Sequence, residues 1–191
     1  MNDMLENRVP EGFHKIREAT LAMKFDMASD LWTGSLLKTL VASKPAGNFL
    51  ELGTGTGLAT VWMISGMDNR SSLLSIENNE LLLDVARKNI SDRRVELLLT
   101  DAGAWIKNYQ GRKFDLVFAD AMPGKYELFE ETIGFLNSHG YYLVDDMLRQ
   151  PNWPEGHEKK VEDFISEVTQ RDDLVVTTLD WSTGIMIMVK K

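Results

Sequence analysis

The sequence contains no cysteine, which excludes disulfide bridges, a cysteine-ligated zinc site and a thiol nucleophile. Its three histidines, His14, His139 and His157, are isolated from one another. No apolar run approaches the roughly 20 residues that a membrane-spanning helix needs. Residues 1–10 are polar and acidic, unlike the apolar segment of a signal peptide. We therefore expect a cytoplasmic protein that has no membrane partner.

Positive charge is also scarce, with 21 Lys and Arg residues against 29 Asp and Glu residues and a net charge of −8. A protein that binds nucleic acid neutralises phosphates with Lys and Arg, so this balance argues against a nucleic-acid partner. The composition suits a protein that acts on a small molecule.

Short apolar segments alternate with helical patterns along all 191 residues, which predicts one α/β domain. We expect an N-terminal helical cap over residues 1–45 and a core over residues 46–191. The predicted helices are Phe13–Met27, Thr33–Ser43, Leu58–Ser65, Glu80–Asn89, Ala102–Lys107, Tyr126–Leu136 and Glu158–Gln170. The predicted strands are Asn48–Leu52, Ser72–Ile76, Val95–Leu99, Phe114–Ala119, Tyr141–Val144, Leu174–Leu179 and Ile185–Val189.

The strands differ in how they are connected. Most are apolar on both faces and are followed by a helix, which predicts a parallel sheet with helices on both faces. The last two are joined by a short turn containing Ser182-Thr183-Gly184, which predicts an antiparallel hairpin at the end of the chain.

A glycine-rich loop follows the first predicted strand, in Glu51-Leu-Gly-Thr-Gly-Thr-Gly57. Glycines at this point let the backbone turn tightly and let a ligand approach it closely. The spacing is G-x-G-x-G, whereas a dinucleotide fingerprint requires glycine or alanine where Leu58 stands. The loop predicts a site for an adenosyl ligand, with a generic glycine-rich turn as the alternative.

Two further strands end in acidic residues. Glu77 ends the second strand, where a carboxylate can accept both hydroxyls of a ribose, or else cap the helix that begins near Asn79. Asp101 follows the third strand and can act as the N-cap of the helix from Ala102, or else contact an adenine, as the family resemblance given below implies.

Three more carboxylates follow strands that should end on the same rim as the glycine loop. They are Asp120, Asp145 and Asp146. Such a cluster is costly unless a positive charge lies within it, and oxygen ligands suit Mg²⁺ or another hard divalent cation. The acids predict a metal site, with helix capping and no metal as the alternative.

The order of these motifs resembles the cation-dependent O-methyltransferases, a family of class I S-adenosylmethionine (SAM) dependent enzymes that includes catechol and caffeoyl-CoA O-methyltransferases. The resemblance covers roughly Met27 to Leu148. It implies a Rossmann-like fold with a seven-stranded, mostly parallel sheet that ends in an antiparallel hairpin. Members of that family are often homodimers, and no residue pattern here requires one.

The resemblance also implies roles for individual residues. Asp120, with Asp145 and Asp146, matches the metal-binding acids, with Asp146 in place of an asparagine. The positions implied to contact SAM are Met27, Ala28, Ser29, Glu51, Gly53, Thr54, Gly55, Gly57, Ala59, Glu77, Asn78, Asp101, Ala102 and Asp120.

Two positions depart from the family pattern. The lysine proposed to deprotonate the acceptor usually stands three residues after the first metal acid, where this sequence has Pro123. Lys125 is displaced by two residues and can replace it only if the loop bends differently; otherwise it is solvated. The serine that often follows the glycine loop is Ala59 here.

Together these features predict O-methylation of a small hydroxylated, catechol-like acceptor, with SAM as the cofactor, help from a divalent metal, and Lys125 and Asp120 as catalytic residues. A metal-independent methyltransferase, an NAD(P)-dependent oxidoreductase and a non-catalytic SAM-binding module are the alternatives. The stretch over residues 152–156 is predicted to be a loop over the acceptor, where Trp153 either stacks on a flat substrate or pins the loop.

Overall fold

In the computed structural model, which describes residues 8–151 and 153–191, seven strands form one sheet in the order β3-β2-β1-β4-β5-β7-β6. Residues 1–7, the start of the predicted N-terminal cap, and Asn152 lie outside the described residues. The strands are β1 Asn48–Leu52, β2 Ser72–Glu77, β3 Val95–Leu99, β4 Phe114–Ala119, β5 Leu136–Val144, β6 Leu174–Leu179 and β7 Ile185–Lys190.

Strands β1 to β5 pair in parallel, and β7 pairs antiparallel with both β5 and β6. The predicted sheet and its closing hairpin are therefore confirmed. Strand β1 lies between β2 and β4, so the direction of winding reverses between β1 and β4. In open α/β sheets, ligands bind beyond the carboxyl ends of the strands at this point.

Helices cover both faces of the sheet. The described helices are α1 Phe13–Ala22, α2 Leu31–Ala42, α3 Leu58–Gly66, α4 Glu80–Asn89, α5 Ala102–Asn108, α6 Phe129–Gly134 and α7 His157–Thr169. Phe49 and Phe118 point to the face where α2 and α3 pack, whereas Leu50 and Val117 point to the face covered by α5, α6 and α7. Strands that bury both faces carry continuous apolar sequences, which is why the pattern predicted this arrangement.

Helix α1 is shorter than the predicted Phe13–Met27. It ends at Ala22 because Lys24 adopts a left-handed conformation with φ 55°. The amide of Lys24 donates to the carbonyl oxygen of Leu21, and the amide of Phe25 donates to that of Thr20. This pair of bonds is a Schellman motif, which stops a helix even where its apolar pattern continues. Residues 25–30, called the extended segment below, have no regular secondary structure and lead to α2.

The helix predicted over Tyr126–Leu136 was also wrong at its start. The amides of Lys125, Tyr126 and Glu127 all donate to the carbonyl oxygen of Met122, which holds this stretch in a compact loop. Leu128 has a φ of 58°, so α6 begins only at Phe129. Strand β5 is correspondingly longer than the predicted Tyr141–Val144 and begins at Leu136.

None of the helices within the described residues combines the length and the apolar character that a membrane crossing requires.

Candidate functional site

A cavity of about 360 Å³ opens beyond the carboxyl ends of β1, β2 and β4, at the place where the winding reverses. The glycine loop forms its floor, and the extended segment after α1 forms one side. Most of the predicted cofactor residues line it: Met27, Ala28, Ser29, Gly53, Thr54, Gly55, Ala59, Glu77, Asn78, Asp101, Ala102 and Asp120. Glu51 and Gly57 are not among the residues that line it.

The loop glycines allow close approach in different directions. A Cβ built on Gly53 would lie 2.6 Å from the carbonyl oxygen of Asp120, so β1 and β4 meet there without room for a side chain. Gly57 precedes α3 with a φ of 97°, and a Cβ on it would lie 3.0 Å from the Cβ of Ala86 on α4. Gly53 therefore shapes the cavity, whereas Gly57 lets two helices pack closely.

Glu77 is held by backbone amides at the rim of the cavity. Its carboxylate accepts from the amide of Gly55 at 2.8 Å and from the amides of Asn78 and Asn79 at 3.0 and 2.9 Å. The N-cap of α4 is Asn79, whose side chain accepts from the amides of Leu81 and Leu82. Glu77 thus orders the turn between β2 and α4 and ties it to the glycine loop.

Asp101 is the N-cap of α5, where its side chain accepts from the amide of Ala104 at 2.7 Å. Asp101 is also one of the residues that line the cavity. The capping alternative raised by the sequence is therefore present, at a residue that still borders the cavity.

Glu51 is completely buried beneath the loop. Its Oε2 accepts from the hydroxyl of Thr60 at 2.6 Å and from that of Ser75, and Ser75 in turn contacts the hydroxyl of Thr54. Oε1 of Glu51 has no partner. Burial, outweighing these hydrogen bonds, raises the pKa of Glu51 to about 7. Glu51 therefore reaches the cavity indirectly, through the hydroxyls of Ser75 and Thr54.

A second cavity of about 360 Å³ adjoins the first. Both are lined by Met27, Ala28, Ser29, Asp120, Ala121 and Asp146. The hydroxyl of Ser29 donates to Oδ2 of Asp120 across a distance of 3.4 Å, which links the extended segment to the end of β4. The two cavities therefore meet at these shared residues.

The structure brings the three predicted metal acids to the second cavity, which Asp120, Asp145 and Asp146 all line. Burial and the repulsion of Asp145 raise the pKa of Asp120 well above its ordinary value. The pKa of Asp145 is raised too, mainly by burial, although its Oδ1 accepts from the hydroxyl of Thr183 at 2.6 Å. Asp146 has a φ of 57°, an uncommon conformation of the kind that concentrates at functional sites.

Within the described ranges, no three His, Cys, Asp or Glu side chains lie close enough together to hold a metal ion. The oxygen ligands that the prediction required are thus present around one cavity, but as placed they do not form a three-ligand site. In chemical type, three carboxylates still fit a hard divalent cation.

Lys125 is buried in the wall of the second cavity, with 5% of its surface exposed. Its positive charge lowers the pKa values of Asp120 and Asp145, against the larger effect of burial. The compact loop at Met122 turns this displaced lysine inwards. The alternative in which Lys125 is solvated is therefore wrong, whereas Pro123 lies on the wall of the first cavity.

Aromatic side chains form the outer part of the second cavity. The ring of His157 lies 4.6 Å from that of Trp153 and 5.3 Å, edge to face, from that of Tyr126. The Tyr126 hydroxyl lies 3.5 Å from Nε2 of His157. Trp153 thus both faces the cavity and packs within the segment that precedes α7.

The sequence does not single out His157 or Thr183 as a residue of the site. The hydrogen bond from Thr183 to Asp145 spans 38 positions, and the contact between Tyr126 and His157 spans 31. No local spacing relates residues that far apart. The single signal was that His157 follows the loop predicted to cover the acceptor.

A family model described as a methyltransferase domain matches residues 50–147, just over half of the chain. The matched range contains the glycine loop and all of the acids described above, which are Glu51, Glu77, Asp101, Asp120, Asp145 and Asp146. Among curated relatives, the catechol O-methyltransferase of Mycobacterium tuberculosis is 32% identical over 121 residues, covering 61% of this chain and 55% of that protein. The chain spans about half the length of the curated relatives it matches.

Solved structures share the fold over most of their length. An O-methyltransferase from Bacillus cereus in complex with S-adenosylhomocysteine (SAH) matches with a TM-score of 0.82 at 21% identity, covering 94% of this chain and 90% of that one. An O-methyltransferase from Streptomyces achromogenes, involved in tomaymycin synthesis and in complex with SAM, matches with the same TM-score and identity, covering 95% and 90%.

Proposed function

Because the chain belongs to the methyltransferase domain family, we propose that it transfers a methyl group from SAM to a hydroxyl oxygen of a small, catechol-like acceptor. The observation that carries the proposal is the pair of adjoining cavities with Asp120 in their common wall. Methyl transfer requires the acceptor oxygen, the methyl carbon and the sulfur to lie in line. Holding the two ligands in adjoining cavities supplies this proximity and alignment, which is most of what the protein can contribute.

SAM is assigned to the first cavity. Glu77 and Asp101, which line this cavity, suit a ligand with a ribose and an adenine. The Bacillus cereus and Streptomyces achromogenes structures are described as complexes with SAH and SAM, which supports this cofactor. When bound, SAM supplies an electrophilic methyl group on a positively charged sulfur.

The second cavity is assigned to the acceptor. Its aromatic wall suits a flat ring, and its acidic floor suits polar substituents. Lys125 and Asp120 are the proposed catalytic residues. The ammonium of Lys125 lies where it can stabilise negative charge on the acceptor oxygen, and Asp120 faces both ligands.

We further propose that Asp120, Asp145 and Asp146 hold a divalent cation such as Mg²⁺. The cation would lower the pKa of an acceptor hydroxyl and orient it. The support is the chemistry of the three carboxylates and the raised pKa values of Asp120 and Asp145. A bound cation would lower these pKa values, because positive charge favours the ionised carboxylates.

Transfer without a metal is the second candidate, and the buried Lys125 favours it. Its ammonium already places one positive charge among the acids, as a metal would.

Labelled SAM and a panel of catechols test these proposals, with and without Mg²⁺ or a chelator. Transfer that stops with the chelator and returns with Mg²⁺ supports the metal-assisted reaction. Transfer that the chelator leaves unchanged supports the lysine-based one. No transfer to any hydroxylated acceptor, despite SAH binding, would overturn the proposed activity.

A further inference from the structure

The contact between Tyr126 and His157 is not explained by cofactor binding or by the acidic cluster. Both side chains are half-buried and line the second cavity, and neither lines the first. The Tyr126 hydroxyl lies 3.5 Å from Nε2 of His157, and the two rings are perpendicular. The ring of Trp153 also packs against that of His157, with the ring centres 4.6 Å apart. The imidazole is therefore held in place rather than free in solvent.

The surroundings favour the neutral form of the His157 ring. Burial lowers its pKa, and the charges of Lys125 and Lys160 lower it further, against the opposite effect of Asp146. His157 is also the first residue of α7, where the helix dipole disfavours a positive charge. A neutral imidazole has one nitrogen free to accept a proton.

Tyr126 keeps its own proton. Burial, Asp146 and Asp120 all raise the pKa of its hydroxyl far above the ordinary value. A tyrosine of this kind can donate its proton to Nε2 while its oxygen accepts another hydrogen bond from the cavity side.

We propose that Tyr126 and His157 form a relay that removes the proton from the acceptor hydroxyl, an inference that rests on the proposed methyl transfer. The acceptor proton moves to the oxygen of Tyr126 as the tyrosine proton moves to Nε2 of His157. The acceptor oxygen forms a bond to the methyl carbon while the carbon–sulfur bond breaks and its electron pair stays on sulfur. His157, half-exposed, then returns its proton to solvent.

Two acceptors separate this role from a structural one. Catechol must lose a proton to react, whereas 4-nitrocatechol is already largely ionised near pH 8. With catechol, H157Q and Y126F are each expected to lower kcat by roughly a hundredfold, the usual contribution of a general base. With 4-nitrocatechol, both variants should stay within about threefold of wild type. The double variant with catechol should be no slower than either single variant, since the two residues act as one unit.

H14Q is the matched control, because His14 is exposed on α1 and lines neither of these two cavities. It should match wild type with both acceptors, and SAH should raise the melting temperature of every variant. Equal losses with the two acceptors, or no loss with either, would overturn the relay. Wild-type protein that binds SAH but methylates neither of these acceptors nor any other hydroxylated acceptor of the panel would overturn the proposed function, and the relay with it.

Nitrogen-15 NMR of the histidine rings gives a readout that does not depend on activity. The signals can be assigned with the H14Q, H139Q and H157Q variants. The relay requires that Nε2 of His157 carries no proton near pH 8 and that its chemical shift changes in Y126F. A protonated Nε2 in the wild-type protein, or a shift that Y126F leaves unchanged, contradicts it.

Discussion

Gly53 and Asp120 meet backbone to backbone at the place where the winding of the sheet reverses. A Cβ on Gly53 would lie 2.6 Å from the carbonyl oxygen of Asp120, and Gly53 has a φ of 97°. The turn of the glycine loop thus determines the position of the Asp120 backbone, from which the proposed catalytic carboxylate extends. Any shift of one moves the other, and with it the wall shared by the two cavities.

Substituting Gly53 tests this coupling. G53A forces a side chain into a left-handed backbone and against a carbonyl, so we expect a loss of stability of about 2 kcal/mol or more. The affinity for SAH, measured by calorimetry, should fall about tenfold or more, which corresponds to about 1.4 kcal/mol. G134A is the control, because nothing lies within 4 Å of a Cβ at that position at the end of α6. It should bind SAH as wild type does, and equal behaviour of the two variants would contradict the coupling.

The buried Glu51 should make stability depend on pH. Its folded pKa of about 7 is raised above the ordinary 4.5, so the folded chain keeps a proton that the unfolded chain has lost. Its contribution to stability therefore falls as the pH rises from about 4.5 through 7. The substitution E51Q removes this dependence. Relative to wild type, E51Q should gain up to about 3 kcal/mol between pH 5 and pH 8.

Urea denaturation at those two pH values measures the gain. E96Q, at an exposed position on β3, is the control and should show the same pH dependence as wild type. A constant difference between E51Q and wild type across this range would mean that Glu51 is ionised throughout.

Lys125 should matter for transfer but not for cofactor binding, because it lines the second cavity alone. K125M removes the positive charge beside Asp120 and Asp145, and we expect kcat to fall by roughly a hundredfold. The affinity for SAH should stay within about threefold, since the first cavity is unchanged. K107M, at an exposed position on α5, should have no effect on either. A K125M variant that methylates catechol at the wild-type rate would exclude a catalytic role for Lys125.

Thr183 should stabilise the ionised form of Asp145, to which its hydroxyl donates at 2.6 Å. T183V leaves that buried carboxylate short of a donor, at an expected cost of about 1–3 kcal/mol. The hydrogen bond lowers the pKa of Asp145, so its loss should cost most above that pKa and least in acid, where Asp145 is protonated. Denaturation curves at several pH values check this. T177V, at an exposed position on β6, provides the baseline for losing a threonine hydroxyl.

The sequence predicted the sheet well because its signals are local. The bounds predicted for Asn48–Leu52 and Val95–Leu99 coincide with β1 and β3, where short apolar runs stand between turn residues. The helix Glu80–Asn89 was predicted with the same bounds, since Asn79 caps it and an apolar stripe follows. The closing hairpin followed from a short turn at Gly184.

The sequence was least informative where backbone conformation departs from the regional pattern. Lys24 and Leu128 both adopt positive φ, a conformation that neither residue type predicts. At Lys24 the result is a shorter α1 and an extended segment that walls both cavities. Before Leu128, the result is a loop that turns Lys125 inwards. The spacing in the sequence did not decide between this inward position and a solvated one.

By itself, the sequence determined the strands in their order along the chain, the glycine loop after β1 and the acids at the ends of β2, β3, β4 and β5. Each of these features depends on neighbours within a few positions. The tertiary structure decided which side chains share a cavity. It buried Lys125 beside Asp120, set Thr183 against Asp145 and brought Tyr126 to His157. Those contacts join residues brought together by the parallel pairing of strands and the packing of helices, and the free energy of that packing is spread over the whole core rather than encoded at either partner.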